Sequence, residues 1–359
     1  MTEQETYNRT RDAAPPQEPL TFPDEEYYRQ PVLRQASGTA RLGKLLVLIG
    51  LAWLAIELIG YGPVFGDAHG STRIPAPLPN NRIELQLGPG DVEIVPGEDA
   101  GVTIETTQYG LWRGDPAVVT ESAAGVLVTN EAKPRFGLCI GRCGLSYRVT
   151  MPRGTDMTAH TSSGDVEVSG AEGAVSITSS SGDVQAHDIS NGIAVQTSSG
   201  DVRLDHIGGK LDVQTSSGEV RLQDGQVAGA AVQTSSGDIE LDGVAGALNL
   251  HSNSGDITVR EARDGRLDIQ NNSGDVDFTG SLANDGEHSV TTSSGEVSLR
   301  LPAASGFTLE TSTSSGEVRS DFPLRGEQRE RNGRTGIVGA GGPRLKIETS
   351  SGDIAILQQ

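Results

Sequence analysis

Acidic side chains recur at one fixed place in this sequence, directly after a Ser-Gly pair. If these carboxylates stack at regular spacing they repel one another, and bound Ca²⁺ or Mg²⁺ would relieve that repulsion. The simpler interpretation is a wet corner that keeps the protein soluble and discourages lateral growth of a sheet. Asp and Glu alternate freely in the row, although a shared coordination geometry would be sensitive to their difference in length. The row contains Asp165, Asp183, Asp201, Glu219, Asp238, Asp256, Asp275, Glu296, Glu317 and Asp353.

The two cysteines of the chain, Cys139 and Cys143, lie close together in the glycine-rich segment FGLCIGRCGLS. Outside a membrane they are expected to form a short-loop disulfide, and in a reducing compartment they would be free thiols. Two thiols without a companion His or Cys motif make a zinc site the weaker alternative.

Motifs of known catalytic chemistry are missing from the sequence. It has no Gly-x-Ser-x-Gly elbow, phosphate loop, His-Glu-x-x-His or calcium-loop consensus. The six histidines are scattered, and the pairs His187-Asp188 and Asp205-His206 fall on expected return turns, where we interpret them as solvated loop residues. The sequence therefore predicts no catalytic residues and no cofactor, apart from the Ca²⁺ alternative above. Parallel β-helix folds do include polysaccharide lyases, so the architecture alone does not exclude an enzyme.

A repeat of Ser-Gly-Asp or Ser-Gly-Glu must position these residues. The first seven of its glycines are 18 or 19 residues apart. Such a fixed period is typical of a solenoid, in which each coil buries its apolar face only against its neighbours. The repeated glycines are Gly164, Gly182, Gly200, Gly218, Gly237, Gly255, Gly274, Gly295, Gly316 and Gly352.

Apolar residues alternate with polar ones on both sides of each glycine, which indicates strands. After Gly200, for example, Val202 and Leu204 are expected to face inward. The same parity predicts that Thr197 and Ser199 also point inward and hydrogen-bond to their equivalents one coil away. The sequence thus predicts an all-β fold, a parallel β-solenoid of about ten coils of 18–21 residues.

Residues 45–65, LLVLIGLAWLAIELIGYGPVF, are apolar and long enough to cross a bilayer as one helix. Basic residues precede the segment, so the amino terminus is expected in the cytoplasm and the repeats outside. A cleaved signal peptide is the rival, but its leader would be unusually long. Glu57 within the span either snorkels toward water or marks a partner contact. The predicted order is a disordered cytoplasmic tail (1–44), the span (45–65), a Pro-rich stalk (66–81), an N-terminal β cap (82–152) and the repeats (153–359).

The formal net charge of the chain is −20 at pH 7, and 4% of its residues are aromatic. This acidity argues against nucleic acid as a partner and favours solubility or cation binding. The low aromatic content suits a thin core of small β-branched side chains.

The repeated TSSGDV motif, the segment YRVTMP before the first coil and the closing GIVGAGGPRLKIETSSGDIAI resemble the bacterial β-strand-repeat family labelled "putative adhesin", a domain of unknown function. The resemblance covers about residues 82–359. It implies a β-solenoid displayed at the cell envelope, with no catalytic residues to carry over. The longer spacing after Gly295 and an arginine-rich insertion, Phe322 to Arg344, depart from the regular repeat.

We therefore expect a single-pass protein of the bacterial cell membrane whose repeats act as a non-catalytic display, adhesion or scaffold surface. An envelope protein or a glycan is the expected partner. The alternatives are an envelope-stress sensor or regulatory subunit that signals through the span and, more weakly, a glycan-processing enzyme. The last coil, which ends near Ile356, would leave open strand edges, and we expect the insertion to cover them and keep the repeats monomeric.

Overall fold

The computed structural model describes residues 68–109, 118–122, 125–130 and 144–359. The regular secondary structure of these residues is β-strand apart from one short 3-10 turn at Pro79–Asn81. No helix within them is long and apolar enough to span a bilayer. The predicted tail, the predicted span with Glu57, and both Cys139 and Cys143 lie outside the described residues.

The strands are numbered in chain order. The N-terminal strands are β1 (Ala68–Ile74), β2 (Arg82–Leu87), β3 (Asp91–Gly97), β4 (Val102–Tyr109), β5 (Val118–Ser122), β6 (Gly125–Asn130), β7 (Gly144–Pro152), β8 (Asp156–Thr161) and β9 (Val166–Ser169). The central strands are β10 (Val175–Ser179), β11 (Val184–Ile189), β12 (Ile193–Thr197), β13 (Val202–Ser217), β14 (Val220–Gln223), β15 (Gln226–Ser236), β16 (Ile239–Asp242), β17 (Val244–Ser252), β18 (Ile257–Ser273) and β19 (Val276–Leu282). The C-terminal strands are β20 (Glu287–Ser294), β21 (Val297–Leu301), β22 (Phe307–Ser315), β23 (Val318–Ser320), β24 (Leu324–Glu330), β25 (Gly333–Val338), β26 (Arg344–Ser351) and β27 (Ile354–Gln358).

Two sheets are built from these strands. We call the segments that precede each Ser-Gly corner the upstream sheet and those that follow it the downstream sheet. A long strand such as β13 contributes its first residues to the downstream sheet and its last residues to the upstream sheet. Neighbouring coils pair in parallel and in register, with Val195 beside Val213 in the upstream sheet and Val202 beside Val220 in the downstream sheet. Each coil therefore hydrogen-bonds to equivalent residues of the next, as the repeat predicts.

The core lies between the two sheets and consists mainly of Val, Ile and Leu. Val202, Val220 and Ile239, which stack in successive coils, are each 0% exposed. Arg203, the residue after Val202, is exposed. This alternation confirms the predicted register. Burial of each such side chain stabilises the fold by about 1.5–3 kcal/mol, so a thin core repeated over many coils is sufficient.

Glycine is required at each corner by both conformation and space. Gly182, Gly200 and Gly218 have φ of 112°, 119° and 129°, in a region that L side chains rarely adopt. A Cβ atom on Gly218 would lie well under 3.0 Å from the carbonyl oxygen of Gly200, one coil earlier. The corners of successive coils are thus too close for any side chain at this position.

Polar residues inside the corner differ from the prediction in one respect. Thr197 is buried as expected, but Ser199 is exposed. The Oγ1 atom of Thr197 donates to the carbonyl oxygen of Ser199 in the same coil at 3.0 Å, rather than to the next coil. The predicted parity was wrong at Ser199 because the chain already turns into the corner there. The buried hydroxyl satisfies its own coil and does not form a ladder.

The N-terminal strands form part of the stack. β1, within the predicted stalk, pairs antiparallel with β4, and β2 and β3 form a coil in register with β8 and β9. On the side away from β8 and β9, β2 pairs with β6 and β3 pairs with β7. The first coil in the sequence is therefore not the outermost layer of the stack. Residues 68–74 of the predicted stalk therefore find strand partners inside the fold, and the predicted domain boundaries stay predictions.

The C-terminal end has the same exchanged order. The last coil, β26 and β27, lies between the coil of β20 and β21 and the coil of β22 and β23. Its edges are thus paired on both sides, contrary to the expected open end. The insertion forms the hairpin of β24 and β25. It does cover an outer edge by antiparallel pairing of β25, but that edge belongs to β22 and not to the last coil.

Candidate functional site

The predicted row of acidic residues forms a hydrogen-bonded column at the Ser-Gly corner. The backbone N–H of Asp183 donates to Oδ1 of Asp165 at 2.9 Å, and the N–H of Asp201 donates to Oδ1 of Asp183 at 2.9 Å. The same bond joins Asp256 to Asp238 and Glu317 to Asp353. Each aspartate therefore accepts the corner amide of the next coil, so its carboxylate helps to hold the stack together.

Aspartate and glutamate are not equivalent in this column. The carboxylates of Glu219 and Glu296 accept no amide of the next coil within the described part of the chain, although the amide of Glu219 itself donates to Oδ1 of Asp201 at 3.0 Å. The longer glutamate carries its carboxylate past the amide. Glu219 instead pairs with Arg221, which also binds Glu240 at 3.0 Å.

Arginine side chains relieve part of the repulsion along the column. Arg203 bridges the Oδ2 atoms of Asp183 and Asp201 at 3.1 and 2.7 Å. Its hydrogen bond to Asp183 raises the pKa of the Arg203 guanidinium above its usual value. Hydrogen bonding and arginine pairing thus give the acidic column a structural role, and Ca²⁺ binding there stays a prediction.

A second corner lies where each coil leaves the downstream sheet. Six residues after the corner glycine, the chain adopts positive φ, with 58° at Asp188, 52° at His206 and 48° at Asp224. Asp, Asn and His tolerate this conformation better than most L residues. The histidines pair locally: Nδ1 of His206 lies 3.1 Å from Oδ1 of Asp205, and Nδ1 of His187 lies 3.6 Å from Oδ2 of Asp188.

This second corner was only partly visible in the sequence. The sequence places His187-Asp188 and Asp205-His206 on return turns but does not mark Asp224 as their equivalent. Alignment at six residues after the glycine would have shown that Asp188, His206 and Asp224 occupy one column.

The outward face of the upstream sheet carries a row of side chains four residues before the five successive corner glycines Gly200 to Gly274, and four of its five members are glutamines. Its members occupy equivalent register positions in successive coils, about 4.8 Å apart. The glutamines are exposed and the histidine is half-buried. We call this set the glutamine row: Gln196, Gln214, Gln233, His251 and Gln270.

Buried polar side chains occur in the core, away from both corners. Burial raises the pKa of Tyr147 to about 12. His288 is 0% exposed, and burial lowers its pKa. Its Nδ1 accepts the backbone N–H of Leu267 at 3.3 Å, and its Nε2 lies 3.1 Å from the carbonyl oxygen of Ala283. These contacts require a neutral ring, so we assign His288 a packing role.

Aromatic side chains of the described ranges lie mainly inside the fold, and Tyr147, Phe278, Phe307 and Phe322 are buried. A glycan-processing cleft would need exposed aromatic residues and convergent carboxylates.

The Toastrack DUF4097 family matches residues 80–285 and 265–357 of this chain. No match was found among curated proteins. Among solved structures, the chain is similar to a "putative adhesin" from Parabacteroides distasonis ATCC 8503, with 10% identity, 80% of this chain and 97% of that chain covered, and a TM-score of 0.40. It is also similar to a "putative cell adhesion protein" from Clostridium sporogenes ATCC 15579, with 11% identity, 82% and 100% covered, and a TM-score of 0.26.

Proposed function

The chain belongs to the Toastrack DUF4097 family, and from that premise we propose that it is a non-catalytic display, adhesion or scaffold surface of the bacterial cell envelope. In this proposal the stacked coils form a parallel β-solenoid that presents its outward side chains at constant spacing. The residues repeated most regularly at the first corner support a structural role, because their carboxylates bind backbone amides of the next coil.

The glutamine row is the observation that carries this proposal. Each primary amide both donates and accepts hydrogen bonds, and three of them, Gln196, Gln214 and Gln233, follow one another about every 4.8 Å before His251 interrupts the series. An extended partner with repeated hydroxyl or carbonyl groups can bind such a row through many weak contacts at once. The partner class is therefore an envelope glycan or an extended segment of an envelope protein.

Membrane anchoring through residues 45–65 is part of the same proposal. The support is the length of this apolar segment and the basic residues before it, which favour a cytoplasmic amino terminus. Protease added to intact spheroplasts should remove the repeats and spare the tail. Repeats protected in intact spheroplasts and digested only after lysis would contradict this orientation.

We also propose that the protein is a monomer. At the C-terminal end of the upstream sheet, the outermost strand β24 carries Arg325, Glu327, Arg329 and Glu330, and charged edge strands disfavour pairing with a second copy. Light scattering of the purified full-length chain should give the mass of one copy per micelle at all concentrations tested.

A binding assay tests the surface role. Purified full-length chain should co-sediment with bacterial envelope fragments, and a variant with Gln214→Arg and Gln233→Arg should bind at least tenfold more weakly. The matched control carries Gln185→Arg and Gln223→Arg on the downstream sheet, which adds the same charge and should bind like the wild type. Equal binding by all three proteins would contradict the role of the glutamine row.

Deletion of residues 1–44 separates adhesion from signalling. Adhesion should survive this deletion, because the tail lies on the opposite side of the proposed membrane span. A sensor would lose its envelope-stress output while its envelope binding remained. Loss of a stress response without loss of binding would therefore favour the sensor over the display surface.

A further inference from the structure

One imidazole and two carboxylates converge at the second corner. Asp205 and His206 come from one coil and Asp224 from the next, and one ligand atom from each lies within 4.8 Å of the other two. In the described ranges this is the single group of three His, Cys, Asp or Glu residues with such geometry. It is separate from the acidic column of the first corner.

The stack itself holds these residues together. Asp205 of β13 pairs in register with Gln223 of β14, so His206 and Asp224 occupy equivalent places in successive coils. The approach of the two side chains therefore follows from the coil spacing and does not depend on a flexible loop. Nδ1 of His206 already lies 3.1 Å from Oδ1 of Asp205. Two ligands of one zinc ion, each about 2.1 Å from the metal in tetrahedral geometry, are about 3.4 Å apart.

A groove beside the group gives access from solvent. His206 and Asp224 line it together with Asp242, Glu261 and Arg263. Three carboxylates and one arginine leave the groove acidic, which raises the local concentration of cations. The side chain of His206 is 57% exposed and that of Asp205 49%, so both can adjust their rotamers around an ion.

We propose that Asp205, His206 and Asp224 bind one divalent transition-metal ion, with Zn²⁺ as the best-fitting member of this class. An imidazole nitrogen combined with carboxylate oxygens suits Zn²⁺ better than Ca²⁺ or Mg²⁺, which prefer oxygen ligands alone. Three protein ligands leave at least one coordination position for water or for an oxygen atom of a partner in the groove.

Calorimetric titration of the full-length chain with ZnCl₂ tests this site. One Zn²⁺ should bind per chain, and His206→Gln and Asp224→Asn should each weaken binding at least tenfold. His187→Gln is the matched control, because His187 lies one coil away in a similar His-Asp pair outside the group. The affinity of this variant for Zn²⁺ should equal that of the wild type.

Circular dichroism spectra of the variants establish that each one folds. No saturable Zn²⁺ binding by the wild type, or equal binding by folded His206→Gln, would overturn the site. Binding of Ca²⁺ as tight as that of Zn²⁺, lost in Asp256→Ala and kept in Asp224→Asn, would place the cation at the acidic column and would also overturn it. None of these results bears on envelope binding by the glutamine row.

Discussion

The corner glycines allow the stacking to be tested by a single methyl group. Alanine at Gly218 would place its Cβ against the carbonyl oxygen of Gly200, and the backbone there has φ of 129°. The unfavourable conformation costs about 1–3 kcal/mol. To relieve the contact, the two coils must also separate locally, which weakens the bonds from Val202 N–H to the Glu219 carbonyl and from Glu219 N–H to Oδ1 of Asp201, at 2.8 and 3.0 Å.

Two such bonds are worth about 0.5–1.5 kcal/mol each. We therefore expect Gly218→Ala to destabilise the fold by about 2–6 kcal/mol, a large fraction of the roughly 5–15 kcal/mol typical of a domain. The control is Gly326→Ala, which also replaces a glycine with positive φ, 64°, but has no atom within 4 Å of the added Cβ. It should cost about 1–2 kcal/mol.

Thermal unfolding of the full-length chain, followed by circular dichroism, measures both variants. The melting temperature of Gly218→Ala should fall by roughly 10 °C and that of Gly326→Ala by a few degrees. Equal small shifts for both would refute the close approach of successive corners. Equal large shifts would mean that the conformation alone, and not the contact between coils, requires glycine.

Further predictions concern the core, the buried histidine and the acidic column. Val220→Asp should prevent cooperative melting because it buries an unpaired charge, whereas Arg221→Asp should change the melting temperature little because its side chain reaches water. Equal tolerance of both substitutions in thermal melts would contradict the register. Burial lowers the pKa of His288, so the neutral ring contributes to stability above the unfolded pKa of about 6.5, and this contribution is lost as the pH falls below that value. Urea titrations should therefore give a lower free energy of unfolding at pH 5 than at pH 7.5. The difference between the two pH values should be smaller in His288→Leu. Asp256→Ala should lower the free energy of unfolding by about 1 kcal/mol, and Asp256→Asn should lower it less because the amide oxygen can still accept the Asp275 N–H. Equal decreases in urea titrations would mean that the charge of Asp256 matters and not its role as a hydrogen-bond acceptor.

Local features of this fold were predictable from the sequence because the repeat determines them coil by coil. The period-two alternation identified Val202 as buried, and the invariable corner glycine identified the close approach. Ser199 was assigned to the wrong side because the alternation assumes a straight strand, and the chain turns before that residue is reached. The structural role of the acidic column depends on the distance from each carboxylate to an amide of another coil, which spacing alone does not give.

The order of coils at both ends could not be predicted for a different reason. Leu345 and Ile347 of the last coil have the same apolar pattern as Leu211 and Val213 of a central coil, so this pattern does not determine which coils pair. In the structure, the hairpin of β24 and β25 occupies the outer side of β22. The last coil therefore pairs with the inner side of β22, between β22 and β20. The same ambiguity concealed the place of the first coil in the stack, where β2 pairs with β6 on one side and with β8 on the other.

Site-specific photo-crosslinking in living cells tests the proposed surface most directly. A photoreactive residue at Gln233, within the glutamine row, should give crosslinked products with an envelope protein or glycan. The same residue at Gln185, which is exposed on the downstream sheet, should give few or none. Products formed equally from both positions, or from Gln185 alone, would contradict the claim that the upstream face of this protein is its binding surface.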